Sequence, residues 1–185
     1  MILYLDTSAL VKLYTDEISS ELVRSAANQA SVVACTNIGY VEARAALARK
    51  HRDKDLDEEA LARCRAKLDD DWGQFYVVGV TVQLLRVAAD LAESYGLRAY
   101  DSIHLAAAEA VQRLAGADAD SRFAVFDGDL RKAAFAHGLL VLARSTRRSL
   151  LTVGSLIKPR PAHLDSARRL RAGTQPQRRA GRRGP

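Results

Sequence analysis

Five short apolar runs punctuate the chain, ILYL, SVVAC, FYVVGV, RFAVF and LLVLA, and the stretches between them carry apolar residues at helical spacing. Each run is a continuous Val/Ile/Leu/Phe block without clean alternation, the pattern of a strand covered on both faces of its sheet. Parallel neighbours need long crossover connections, so strands alternating with helices constrain the chain to an α/β arrangement. Right-handed crossovers then lay helices on both faces. The expected fold is three layers: helix, parallel five-stranded sheet, helix. Helices are expected at roughly 8–15, 18–29, 37–52, 57–73, 81–95, 100–115 and 129–137 from apolar periodicity and end signals. Among those signals, Asn37 reads as a cap before the Val41 helix, and Thr81 as a cap before QLLRVAADLAESYG, which stops at Gly96.

Length permits one domain with a single core and some excess, and charge shows where the excess lies. Residues 1–143 hold 16 Lys+Arg against 21 Asp+Glu, a net of −5, whereas residues 144–185 hold 12 against the single Asp165, a net of +11. From Arg144 onward Pro, Gly, Ser and Arg replace apolar periodicity, so the boundary is expected near 144, with a partly disordered basic extension beyond it. Within the extension SLLTVGSL reads as a short strand or hairpin and AHLDSARRLRAG as a short helix. Such a segment either binds phosphate backbones with little sequence preference or is simply solvated.

No apolar run approaches the roughly 18 to 20 residues of a membrane span. The start MILYLDTSALVKLY has an acid at position 6 and no basic segment or small-residue cleavage site, so a cytoplasmic, non-membrane protein is expected. Cys35 and Cys64 are too few and too far apart for a disulfide scaffold or thiolate zinc site and read as reduced thiols in or near the core.

Chemistry is expected from acids. Asp6 ends the first strand and Asp127 the fourth, where an open parallel sheet forms its ligand crevice. Either acid could instead cap the helix that follows, as could Thr7 or Ser8 at the first and Asp129 at the second. Glu42 in NIGYVEARAALARKH lies beside an apolar stripe, one turn from Ile38 and Ala46; its alternative is an edge position paired with Arg49 or Lys50. Asp101 in LRAYDSIHLAAAEAV lies one turn from Leu97 and Leu105, with His104 roughly on the same face. His104 is expected to be a core histidine bonded to backbone or to Asp101 rather than a metal ligand. Four carboxylates converging on one cleft would repel each other without a cation among them, and an all-oxygen set suits Mg²⁺ or Mn²⁺ over zinc.

Taken in order, LYLDTSALVKLY, NIGYVEARAALAR, LRAYDSIHLAAA and VFDGDLRKAAFAHGL resemble the motifs of the PIN-domain family, and within it the VapC-type toxins, across residues 1–143. The resemblance implies a Mg²⁺- or Mn²⁺-dependent endoribonuclease, commonly a homodimer, that cuts RNA and is held inactive by a cognate antitoxin. It makes Asp6 and Asp101 the chief metal ligands, gives Glu42 a role in orienting or binding water at the metal, and has Asp127 complete the site. Ser8 matches the small polar position beside the first acid, and Asp129 is a competitor to Asp127 as the fourth ligand. The basic extension is longer than compact toxins of this kind carry.

Two other readings compete. A receiver-like or phosphatase-like domain also gathers acids around Mg²⁺, but the phosphatase position two residues after the first Asp is Ser8, and no acid pair or late Lys marks a receiver. A non-catalytic RNA-binding protein would have no need of four carboxylates.

Overall fold

In a computed structural model of the chain, residues 1–143 are described, and everything placed in the 144–185 extension lies outside them. The strands are β1 (Ile2–Leu5), β2 (Val32–Thr36), β3 (Tyr76–Val78) and β4 (Ser121–Ala124). The helices are α1 (Thr7–Lys12), α2 (Ser20–Gln29), α3 (Asn37–Arg52), α4 (Glu58–Trp72), α5 (Val82–Tyr95), α6 (Ala99–Ala115) and α7 (Gly128–Ala136). The sheet is parallel throughout, in the order β3-β2-β1-β4.

The pleat sorts the strand residues into two cores. Tyr4, Ala34, Tyr76 and Phe123 sit side by side in register and face α5, α6 and α7. Their neighbours Leu3, Leu5, Cys35 and Ala124 point the other way, into the layer formed by α1 to α4. Both faces are therefore buried, which is why the strands read as unbroken apolar runs. Leu47, Leu68 and Leu105 are wholly enclosed, each burial stabilising by about 1.5–3 kcal/mol.

Helix ends follow local chemistry. Thr81 caps α5 by accepting from Leu84 N at 3.2 Å, and Gly96 ends that helix at φ 64°, a left-handed conformation that glycine adopts without strain. At α3 the expectation is corrected: Thr36 is the cap, accepting from Gly39 N at 3.3 Å, while the Asn37 side-chain Oδ1 accepts from Val80 N at 3.3 Å. Asn37 ties the start of α3 to the chain after β3.

The expected fifth strand is also corrected. LLVLA contributes one isolated parallel bridge, Phe123 to Val141, in which Phe123 N donates to Leu140 O and Leu142 N to Phe123 O, both at 2.8 Å. The ladder stops on either side because Ser121 N donates to Ala119 O at 2.8 Å and Val125 O accepts from Arg131 Nη1 at 3.4 Å. The sheet among the described residues is thus four-stranded. Cys35 and Cys64 are free and buried, as expected. Among the described residues no helix is long and apolar enough to cross a membrane.

Candidate catalytic site

The chain leaves β1 toward β2 and β3 on one side and returns to β4 on the other, so the strand order reverses between β1 and β4. At such a switch point the connections diverge and open a crevice beyond the carboxyl ends of the strands. Asp6 immediately follows β1 and Asp127 lies three residues after β4. Ser8 Oγ accepts from Phe126 N at 3.0 Å and joins the two sides of the crevice.

Asp6 is the N-cap of α1, the role left open among Asp6, Thr7 and Ser8. One carboxylate oxygen accepts from Ala9 N at 2.8 Å, and Ser8 Oγ lies 2.8 and 2.9 Å from the two oxygens. The side chain is buried, and burial pushes its pKa up to about 6 despite the opposing effects of His104, Ala9 N and Ser8; the charge of Asp101 raises it further. Asp6 is thus an acid short of positive charge.

Glu42, on the second turn of α3, accepts from Thr7 Oγ1 at 2.6 Å and lies 2.8 Å from His104 Nε2. It does not take up the alternative pairing with Arg49 or Lys50; Lys50 reaches Glu17 instead, at 3.6 Å. Burial alone would raise the Glu42 carboxyl, but His104 and Thr7 more than offset this and hold it below its ordinary value.

His104 is a core histidine, only 3 % exposed, and its partners differ from those expected. Nε2 faces Glu42, with Thr7 Oγ1 at 3.2 Å, and Nδ1 faces Tyr4 OH at 3.2 Å. An ionised carboxylate only accepts, so Nε2 carries the proton, and in the neutral ring Nδ1 accepts from Tyr4. The imidazole holds Glu42 from α6 while being fixed from β1.

Asp101 occupies the first turn of α6, with Arg98 Nε donating to its Oδ2 at 2.7 Å. Asp127 is the N-cap of α7, its Oδ1 accepting from Asp129 N and Leu130 N at 3.0 Å each. Its Oδ2 accepts from Arg98 Nη2 at 3.1 Å. One guanidinium thus bridges the acids of two helices. Asp129 points to solvent, 82 % exposed, and pairs with Lys132 at 3.0 Å.

The contacts link the acids in pairs: the charge of Asp101 acts on Asp6, Arg98 bridges Asp101 and Asp127, and Glu42 is held by Thr7 and His104, whereas Asp129 pairs with Lys132 and joins none of them. Arg98 and Tyr4 were not singled out from the sequence. Arg98 carried a legible signal, since it stands three residues before Asp101 at helical spacing. Tyr4 carried none, because its partner lies a hundred residues away.

Among the described residues no three His, Cys, Asp or Glu side chains stand together in a way that could hold a metal ion. The donor chemistry nonetheless fits a hard divalent cation: the acids offer only oxygens, and among the described residues no cationic side chain is bonded to the buried Asp6. The arrangement is one in which Arg98 supplies the positive charge between Asp101 and Asp127.

A four-stranded parallel sheet between two helical layers, with Asp6 buried at its switch point, defines an α/β domain. The chain belongs to the PIN domain family, whose profile matches residues 3–136. Ribonuclease VapC45 of Mycobacterium tuberculosis (strain CDC 1551 / Oshkosh) is 36% identical over 110 residues, covering 60% of this chain and 76% of that protein. Among solved structures, Mycobacterium tuberculosis VapC20, described as a Sarcin-Ricin loop cleaving toxin, superposes with a TM-score of 0.53 at 20% identity, covering 75% of this chain and 96% of that one. VapBC2 from Rickettsia felis, solved bound to a DNA fragment from its promoter, gives 0.50 at 13% identity, covering 76% and 97%. At these identities the structural likenesses establish the fold.

Proposed function

We propose that this chain is a divalent-metal-dependent endoribonuclease and the toxin of a toxin–antitoxin pair. The observation that carries the reading is the buried Asp6 carboxylate at the switch point, raised by burial and by the charge of Asp101. Kinship with a protein named as a ribonuclease gives the reaction class. A non-catalytic RNA-binding surface would gain nothing from burying an acid, which disfavours phosphate.

Asp6 and Asp101 are the residues that would hold Mg²⁺ or Mn²⁺, with Asp127 Oδ2 completing the set. The chemistry supplied by the ion when bound is polarisation of water and stabilisation of charge on the phosphodiester oxygens. Ser8 orients Asp6 through both carboxylate oxygens. Glu42, kept ionised and held by Thr7 and His104, would accept a hydrogen bond from the attacking water and so aim it. Asp127 divides its oxygens, one capping α7 and the other facing Asp101 through Arg98.

The partners are an RNA substrate, a cognate antitoxin and a second copy in a homodimer, in the cytoplasm where such RNA is found. The VapBC2 complex of the same fold supports pairing with a second protein. The test is cleavage of total cellular RNA by the purified, partner-free chain in Mg²⁺, Mn²⁺ or EDTA, wild type against Asp101→Asn. Metal-dependent cleavage lost in the variant is expected. Folded wild type that binds RNA and cuts none would overturn the proposal.

A further inference from the structure

Among the described residues Arg98 is the one Lys or Arg side chain bonded to Asp101 and Asp127. It occupies the N-cap position of α6 without making a capping bond, and its guanidinium reaches toward the start of α7. Both helix ends are positive and favour anions over a cation. The guanidinium is held there by two carboxylates, Asp101 Oδ2 at 2.7 Å and Asp127 Oδ2 at 3.1 Å. These are oxygens that a cation between the two acids would take.

The acids and the arginine differ in how firmly they are set. Asp127 is pinned by its α7 cap and Asp101 is 17 % exposed, whereas the Arg98 side chain is 75 % exposed and hangs from the rim. Arg98 can leave by side-chain rotation into water while the carboxylates stay on their helices. Among the described residues Asp6 bonds only Ser8 and Ala9 N and has no bonded Lys or Arg, whereas Asp101 and Asp127 share one guanidinium. A monovalent guanidinium compensates two of these acids; a divalent ion would compensate more.

We infer that Arg98 is an internal competitor for the metal site, a clasp that closes Asp101 against Asp127 and must swing out before a divalent cation can bind. The inference rests on the reading that these acids hold the metal. It makes Arg98 a positioning residue that sets the threshold of cation concentration at which the site loads. Occupancy of the clasp and of the metal site are mutually exclusive, so any partner or phosphate that draws Arg98 outward favours loading.

The test is Mn²⁺ affinity of the full chain, partner-free, by calorimetry and by the loss of free Mn²⁺ paramagnetic signal, for wild type, Arg98→Gln, Asp101→Asn and Lys132→Gln. Thermal melts establish that each variant is folded. Removing two exposed ion pairs should tighten Mn²⁺ binding by Arg98→Gln about three- to tenfold. Lys132→Gln removes the same charge from a nearby exposed position without touching the crevice acids and should leave affinity near wild type. Unchanged or weaker binding by Arg98→Gln overturns the clasp, as does equal tightening by Lys132→Gln, which would reduce the effect to net charge. If Asp101→Asn binds as wild type does, or no variant binds, the metal-site reading itself falls and takes the clasp with it.

Discussion

Asp6 is 4 % exposed and burial pushes its carboxyl up to about 6, so without a bound cation its ionised form is disfavoured. Holding that carboxyl ionised in the fold at pH 8 costs roughly 3 kcal/mol relative to the unfolded chain. Asp6→Asn removes the charge and keeps one oxygen for Ala9 N, but exchanges an ionised acceptor of the Ser8 hydroxyl and Ala9 N for a weaker neutral one, a loss of about 1 kcal/mol. The net expectation at pH 8 in EDTA is a stabilisation of roughly 2 kcal/mol, or about 4–8 °C in melting temperature for a domain of this size. The sign depends on pH. A raised native pKa means the folded state holds more protons between about 4 and 6, so wild-type stability relative to the variant falls as pH rises through that window. Below it the carboxyl is neutral in both states and the advantage of Asn disappears. The assay is thermal melting of both proteins in EDTA from pH 4 to 8, repeated with Mg²⁺ at pH 8. Mg²⁺ should stabilise wild type alone, and RNA cleavage should be lost in the variant. A variant that melts below wild type by the same margin at every pH would refute the reasoning.

Two further outcomes follow from the same geometry. His104→Phe leaves Glu42 with Thr7 alone and takes from Tyr4 its imidazole partner; urea unfolding should show a loss of about 1–3 kcal/mol, and His104→Gln should recover part of it together with part of the cleavage rate. Truncation after residue 143 removes a segment of net charge +11, and the slope of log RNA affinity against log salt should flatten; an unchanged slope would assign the extension no part in RNA binding.

What the sequence by itself determined is whatever rests on neighbours within a turn or two. The α3 span 37–52 followed from its 3.6-residue periodicity, although its cap is Thr36 and not Asn37, and α5 was bracketed by Thr81 and Gly96, because periodicity, caps and glycine stops are local. The acids at the ends of β1 and β4 were legible as well, since an apolar run followed by an acid and a helix marks a strand's carboxyl end. The LLVLA run was equally apolar, yet whether it became a strand depended on which backbone groups of β4 were already engaged by Ala119 and Arg131. His104 likewise could be placed on a face but not given its partners. Glu42 lies 62 residues away and Tyr4 lies 100 away, and only the folded sheet brings them to opposite edges of one ring. Arg98 shows the division within one side chain: its bond to Asp101 follows from helical spacing, while its bond to Asp127 exists because the reversal of strand order sets the starts of α6 and α7 side by side. Local spacing decides which groups each element presents, and the topology of the sheet decides which of them meet, because hydrogen bonds and ion pairs act over a few ångströms and are blind to separation along the chain.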